Sequence, residues 1–180
     1  MNGGLPFVVV RGPALSGKTE IARRLAERLP QKSAIISQDD LWSRWIVRHD
    51  DDLAAEAELV YRQLRLLAAA YNRSGYAVVV DAAFAVYHEG AAATHGSDLR
   101  DLLGLISTVP NVHPLLVALT APLEVLLDRA KEDSGERARV EAIHRAFEAS
   151  PVAAALTLDT ATVSPDEGTG RILERLGLAR

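Results

Sequence analysis

The sequence predicts an α/β domain with a five-stranded parallel sheet and helices on both faces. Two observations support this prediction. Short apolar runs alternate with longer segments of helical period, and a glycine-rich motif stands at the first junction between them. Parallel strands need long crossover connections, which pack back onto the sheet as helices. At 180 residues the chain suits one such domain, 1–180, and is too short for two.

The first half of the chain contains three predicted strands and two predicted helices. Residues 7–10 form a continuous run of apolar, mostly β-branched side chains, as a buried parallel strand does. Across 17–29 the apolar side chains recur at helical spacing, until a proline ends the helix. The same reasoning predicts a second strand at 33–36, a long helix at 52–71 and a third strand at 76–80.

In the second half, residues 99–106 have helical spacing and residues 114–119 predict a fourth strand. A helix begins near Pro122, because proline suits the first turn. Residues 153–158 predict the fifth strand, and a final helix ends near Gly177. The final helix has a start signal of an N-cap residue, a proline and a capping-box carboxylate. These are Ser164, Pro165 and Glu167.

Composition and charge exclude several classes of protein. The formal net charge is −4, so the chain has no overall positive field that would gather nucleic acid. It contains no cysteine, which excludes disulfides and thiolate metal sites. No apolar run approaches the ~18 residues of a membrane span. We therefore expect a cytoplasmic protein that does not bind a membrane, and the charge disfavours nucleic acid as a partner. The oligomeric state stays open.

A phosphate-binding motif follows the first predicted strand. Residues 12–19, GPALSGKT, match the pattern G-x-x-x-x-G-K-[ST] between a predicted strand and a predicted helix. Glycines let such a loop wrap closely around a phosphate, while backbone N–H groups and the helix N-terminus attract its negative charge. The motif predicts that all of its residues belong to the ATP-binding site. Its residues are Gly12, Pro13, Ala14, Leu15, Ser16, Gly17, Lys18 and Thr19.

The last two residues of this motif carry its chemistry. Lys18 should contact the β- and γ-phosphate oxygens, and it is also assigned a catalytic role. Thr19 should supply one oxygen ligand to Mg²⁺, whose other ligands are waters or phosphate oxygens. A purely structural glycine turn would leave Lys18 buried without a partner. ATP and Mg²⁺ are therefore the expected cofactors.

Two carboxylates follow the second predicted strand. Asp39 and Asp40 stand just beyond residues 33–36, at the carboxyl edge where open α/β sheets bind ligands. A carboxylate there could accept the proton of an acceptor hydroxyl as its bond to phosphorus forms. Aspartate is also a preferred N-cap residue, so the alternative is that both only cap the next helix.

At these residues the chain resembles the P-loop phosphotransferases that include chloramphenicol phosphotransferase, zeta-type toxins and polynucleotide 5'-kinases. The resemblance covers most of the chain and rests on four segments, of which the first is highly specific. They are residues 16–19 (SGKT), 38–41 (QDDL), 78–81 (VVVD) and the arginine-bearing segment 129–139. The resemblance implies a P-loop kinase fold with a short arginine-bearing lid at about 129–139.

The resemblance also implies roles for the acidic residues. Asp39 takes the general-base position against the acceptor hydroxyl, while Asp40 caps or orients the next helix. Asp81 resembles the end of a Walker B strand, where it would hold Mg²⁺ through water or bind the acceptor, although it could also only cap the following loop. Polynucleotide kinases have an arginine three residues after the base. This chain has Trp42 there, which weakens the polynucleotide interpretation.

The predicted lid carries arginines on either side of an interruption expected at Ser134 and Gly135. We assign Arg137 to the transferring phosphoryl group and Arg129 to ATP, with Arg139 as a further candidate, because guanidinium groups suit phosphate oxygens. Acidic residues nearby leave open the alternative that these arginines form surface ion pairs.

The segment 82–96 follows the third strand and is the candidate acceptor pocket, although its pattern is too weak to assign secondary structure. It carries Phe84, Tyr87, His88, Glu89 and His95. Two histidines without a third defined ligand do not indicate zinc. Trp42 could stack on an aromatic acceptor, or it could pack against the helices.

Together these features predict an ATP-dependent kinase that transfers the γ-phosphate to a hydroxyl of a small acceptor, such as an antibiotic, nucleoside or sugar. Asp39, Asp81 and Trp42 are the predicted acceptor-binding residues. Two alternatives remain. One is a 5'-hydroxyl nucleic-acid kinase or a toxin that phosphorylates a nucleotide sugar. The other is a regulatory module that binds ATP without catalysis.

Overall fold

Five parallel strands form the central sheet. They are β1 (Leu5–Arg11), β2 (Ser33–Ser37), β3 (Ala77–Asp81), β6 (Val112–Thr120) and β7 (Leu156–Asp159), in the spatial order β2-β3-β1-β6-β7. A separate antiparallel hairpin consists of β4 (Ala85–His88) and β5 (Ala91–Thr94). The computed structural model describes residues 4–47, 52–88, 90–130 and 132–179.

Helices connect the strands. They are α1 (Lys18–Arg28), α2 (Gln38–Ser43), α3 (Leu53–Arg73), α4 (Gly96–Ser107), α5 (Leu123–Arg129), α6 (Ser134–Ala149) and α7 (Pro165–Arg175). Within the described ranges, no helix is both long enough and apolar enough to cross a membrane.

The two faces of the sheet form two separate cores. Side chains alternate across a strand, so Phe7 and Val9 of β1 face one side while Val8 and Val10 face the other, and all four are fully buried. The first core is completed by α3 and α4, and the second by α1 and α7. A central strand that is apolar on both faces is therefore explained by helices on both sides of the sheet.

The predicted parallel sheet of five strands is confirmed, and most element boundaries differ by only a few residues. The last strand begins at Leu156 instead of residue 153. The helix break in the predicted lid lies before Ser134 instead of at Ser134 and Gly135. The reason is a cap: the Asp133 carboxylate accepts hydrogen bonds from the backbone N–H groups of Gly135 and Glu136, which starts α6 at Ser134.

The segment 82–96, to which the sequence assigned no secondary structure, contains the β4–β5 hairpin. Ala85 pairs with Thr94 and Val86 pairs with Ala93. Alanine has low strand propensity, so the run at Ala91–Thr94 gave no strand signal. Helix α6 packs on both strands of this hairpin.

Candidate active site

The loop of residues 12–19 joins β1 to α1 and has the geometry of a phosphate cradle. Gly12 is confined, because a Cβ there would lie 2.6 Å from the Ser16 Oγ and 2.9 Å from the Leu119 carbonyl oxygen. Gly17 has a φ of +85°, in the left-handed region that favours glycine, and it immediately precedes α1. Glycine is therefore needed at these two positions for different reasons: lack of space for a side chain at Gly12 and a left-handed backbone at Gly17.

Lys18 points back into this loop. Its Nζ donates a hydrogen bond of 2.9 Å to the Pro13 carbonyl oxygen. Burial lowers the pKa of Lys18, while the charges of Asp81 and Asp39 oppose that shift and Arg139 reinforces it. The ammonium group thus lies among phosphate-loop, acidic and lid residues, and a bound phosphate would give it the charged partner that the carbonyl does not.

Thr19 and Asp81 bring two hard oxygen atoms together beside the loop. The Thr19 hydroxyl donates a 2.7 Å hydrogen bond to Asp81 Oδ2. Asp81 ends β3 and is buried, and this burial raises its pKa, against the lowering effects of Thr19 and Lys18. The donor set suits Mg²⁺, which prefers oxygen ligands. The residues that the structure describes contain no group of three metal-binding side chains, so phosphate or water would have to complete the coordination.

The two aspartates after β2 have different environments. Both lie in the first turn of α2, but the N-cap is Ser37, whose Oγ accepts a hydrogen bond from the Asp40 backbone N–H. Asp40 pairs with Arg44 at 3.1 Å. Asp39 instead lines the large cavity beside Lys18 and Thr19. The capping alternative therefore does not account for Asp39, since Ser37 already serves that purpose.

Gln38 is a structural part of the site that sequence reasoning missed. Its Nε2 donates to the Ala85 carbonyl oxygen at 3.2 Å, and its Oε1 accepts from the Phe84 backbone N–H at 3.0 Å. Phe84 has a φ of +51°, which is uncommon for a bulky residue. Gln38 thus fixes the start of the hairpin against α2, next to Asp39. A glutamine beside two aspartates gives no sequence signal for a contact across 46 positions of the chain.

A cavity of about 830 Å³ opens at the carboxyl edge of the sheet. The phosphate loop lines one part of it, and α2, α3 and the hairpin line another, while α6 contributes four further lining residues. Its lining residues are Ala14, Leu15, Gly17, Lys18, Thr19, Glu20, Gln38, Asp39, Trp42, Ser43, Leu53, Ala83, Ala85, Val86, Tyr87, Glu136, Arg139, Val140 and Ile143. A volume of this size lies at the upper end of the range for small-molecule sites.

The three lid arginines have different partners. Arg129 donates to the Leu15 carbonyl oxygen at 3.1 Å and to the Thr160 carbonyl oxygen at 2.5 Å, so it lies against the phosphate loop. Arg137 donates to the Leu127 carbonyl oxygen at 2.9 Å and is not among the cavity-lining residues. Arg139 does line the cavity and acts electrostatically on Lys18. In this conformation the lid arginine that faces the site is therefore Arg139.

The predicted acceptor-pocket residues are divided between the cavity and the core. Trp42 and Tyr87 line the cavity. Phe84 is buried and stacks on Tyr61 with a ring-centroid distance of 5.5 Å, while His95 packs against the same tyrosine at 4.9 Å. His88 is exposed at the end of β4, and Glu89 lies outside the described residues.

Residues 7–150 match a protein-family model described as an AAA domain, AAA_33. The chain belongs to this AAA-domain family. The matched range contains the phosphate loop, both acidic strand ends and all three lid arginines. A search of the curated proteins found none that matches this sequence.

Several solved structures share the fold across nearly their whole length. An APS kinase of Mycobacterium tuberculosis, in complex with AMPPNP and APS, is 22% identical with a TM-score of 0.66, covering 97% of this chain and 98% of that one. A sugar kinase from Janibacter sp. is 21% identical with a TM-score of 0.65, covering 97% and 96%. The tunicamycin resistance protein of Deinococcus radiodurans is 19% identical with a TM-score of 0.60, covering 97% of both. The fold is therefore that of the P-loop kinases.

The confinement of Gly12 predicts a steric effect of substitution. We expect Gly12→Ala to destabilise the protein by about 1–3 kcal/mol and to weaken ATP binding, because its Cβ would press on the loop and on Leu119. Gly104→Ala is the matched control. It lies in α4 with open space around it and should stabilise the protein by about 0.5–1 kcal/mol. Urea unfolding and ATP titration measure both effects, and equal stabilities for the two variants would contradict the steric argument.

The raised pKa of Asp81 predicts a pH dependence of stability. The pKa of Asp81 is higher in the folded protein than in the unfolded chain. The folded protein therefore loses stability as the pH rises from the unfolded pKa of this carboxyl through its folded pKa. We expect Asp81→Asn to raise the Tm of the nucleotide-free protein at neutral pH and to reduce the difference in Tm between neutral and mildly acidic pH. Asp101→Asn, at an exposed position of α4, should leave that difference unchanged. A lower neutral-pH Tm for Asp81→Asn would contradict the interpretation.

Proposed function

We propose that this protein is an ATP-dependent kinase that transfers the γ-phosphoryl group to a hydroxyl of a small-molecule acceptor. The observation that carries the proposal is the cavity shared by Lys18, Thr19 and Asp39, because it brings a phosphate-binding cation and a carboxylate to one space. The confinement of Gly12 and the P-loop kinase fold support it. We propose a cytoplasmic location, because ATP is available there.

On the nucleotide side, the loop of residues 12–19 would bind the phosphates through backbone N–H groups. The Lys18 ammonium would exchange its bond to the Pro13 carbonyl for β- and γ-phosphate oxygens. Mg²⁺, bound at Thr19 with Asp81 beside it, would neutralise phosphate charge. Arg129 would hold the phosphate loop in place, because it donates hydrogen bonds both to Leu15 of that loop and to Thr160, the residue after β7.

On the acceptor side, Asp39 would act as the general base. Its carboxylate would take the hydroxyl proton as the acceptor oxygen bonds to the γ-phosphorus and as the bond from that phosphorus to the β–γ bridging oxygen breaks. ADP and a phosphorylated acceptor are the products. Asp40 is a poorer candidate, because it pairs with Arg44 and does not line the cavity.

Arg139 would stabilise the charge on the transferring phosphoryl group. It lines the cavity from α6 and already acts electrostatically on Lys18. Arg137, the sequence-based candidate for this role, donates to the Leu127 carbonyl oxygen and connects the two lid helices. Its catalytic role stays a prediction, and the comparison of Arg137→Met with Arg139→Met below tests it.

The base assignment predicts a difference between the two aspartates. Asp39→Asn should lower kcat by about a hundredfold to ten-thousandfold with ATP affinity nearly unchanged, because it removes proton acceptance and leaves the phosphate loop intact. Asp40→Asn is the matched control and should keep most of the activity. Transfer from γ-labelled ATP to a panel of neutral and charged alcohols, including 5'-hydroxyl oligonucleotides, measures both. Tight ATP binding without any product would favour a regulatory module instead.

The lid assignment predicts a difference between the two arginines. Arg139→Met should lower kcat by about a thousandfold, because it removes a positive charge from the transferring group. Arg137→Met should act mainly on stability through the loss of its bond to the Leu127 carbonyl oxygen. Single-turnover rates and thermal unfolding of the two variants separate these effects. A large loss of rate in Arg137→Met with an unchanged Tm would reverse the assignment.

A further inference from the structure

The acceptor end of the cavity is lined mainly by apolar and aromatic side chains. We call these residues the acceptor wall: Trp42 of α2, Leu53 of α3, Val86 and Tyr87 of β4, and Val140 and Ile143 of α6. Val140 and Ile143 are buried, so the wall continues directly from the packed interior of the protein. A wall of this kind favours an acceptor with an apolar body, because removing apolar surface from water on both sides lowers the free energy of binding.

The charged groups that line the cavity include two cations that interact with each other electrostatically, so both lie near the phosphate loop. Among the described lining residues the cations are Lys18 and Arg139, and the anions are Glu20, Asp39 and Glu136. Both cations would be committed to ATP phosphates in the proposed function. Asp39 lies three residues before Trp42 in α2, so a carboxyl group adjoins the acceptor wall, and in the proposed function no cation of the described lining is left to accompany it.

The polar groups near the acceptor wall are largely committed to the protein itself. The Gln38 amide bonds to the backbone of Phe84 and Ala85 through its oxygen and its nitrogen. The Ser43 hydroxyl donates to the Asp39 carbonyl oxygen at 2.6 Å. The Asp39 carboxylate is therefore the group best placed to receive a hydrogen bond from an acceptor, which suits an alcohol and disfavours an anion.

From this distribution we infer that the acceptor is an uncharged alcohol with an apolar, ring-sized body, and that the site discriminates against carboxylate- or phosphate-bearing acceptors. The inference rests on the proposed function and adds the chemical class of its acceptor. An acceptor anion next to Asp39 would meet like charge, and the described lining residues offer no cation besides the two that would bind ATP. The cavity has room for an acceptor of this kind beside the terminal phosphate.

The test compares two probes that differ by one group. 2-Phenylpropane-1,3-diol and 3-hydroxy-2-phenylpropanoate share the ring and one primary alcohol, and the second replaces the other alcohol with a carboxylate. Binding to the protein saturated with AMPPNP and Mg²⁺ is measured by ligand-observed NMR titration. We expect 2-phenylpropane-1,3-diol to bind at least about tenfold more tightly than 3-hydroxy-2-phenylpropanoate. Propane-1,3-diol, which lacks the ring, should bind more weakly than 2-phenylpropane-1,3-diol.

A charge-gain variant tests the physical cause. Val86→Lys places an ammonium group in the acceptor wall and should improve carboxylate binding relative to the diol by about tenfold or more. Leu66→Lys is the matched control, because it makes the same change in charge at a position of α3 that is 64% exposed. It should leave the ratio of the two affinities unchanged.

The outcomes separate the inference from the proposed function. Equal or tighter binding of the carboxylate by the unmodified protein would overturn the inference, even if both probes became phosphorylated. An unchanged ratio in Val86→Lys would overturn the electrostatic cause. Selective binding of the diol with no labelled product from any alcohol would support the recognition argument and refute the proposed transfer reaction.

Discussion

The parallel register between β1 and its neighbours is the constraint on which the site depends. Val10 pairs with Asp81, and Asp81 pairs with Ser37 of the next strand. Three strand ends therefore lie side by side at one edge of the sheet. The phosphate loop leaves the first end, Asp81 occupies the second, and Ser37 caps the helix that carries Asp39 at the third. A slip of one residue would turn these side chains to the opposite face.

Lys18 and Asp81, two desolvated charged groups at this edge of the sheet, are only partly stabilised by their neighbours. Lys18 is desolvated and lies among two carboxylates and one lid arginine, so its charge is supported but not neutralised by a direct ion pair in the described residues. Asp81 is also desolvated by burial, and its hydrogen bond from Thr19 offsets only part of that cost. Such a site is poorly satisfied without ligand, which is a physical reason for it to bind a phosphate and a divalent cation together.

The lid helix connects the two ends of the cavity. Asp133 starts α6, the first half of that helix presents Arg139 to the phosphate end, and Val140 and Ile143 line the acceptor end. The same helix packs on the β4–β5 hairpin, which Gln38 ties to α2. One helix thus contributes charged and apolar residues to the cavity lining, so a displacement of α6 would alter both at once.

The sequence by itself determined the elements whose signals are local. Apolar runs and helical spacing predicted the five strands of the central sheet and most helices. The spacing of Gly12, Gly17 and Lys18 predicted the phosphate cradle, because a loop that wraps a phosphate uses those residues in that order. Tertiary structure decided what depends on distant contacts. Ser37 instead of an aspartate caps α2, and Arg139 instead of Arg137 faces the cavity. The direction of a long side chain, and the partner that a carboxylate finds, are set by packing between elements that are remote in the chain.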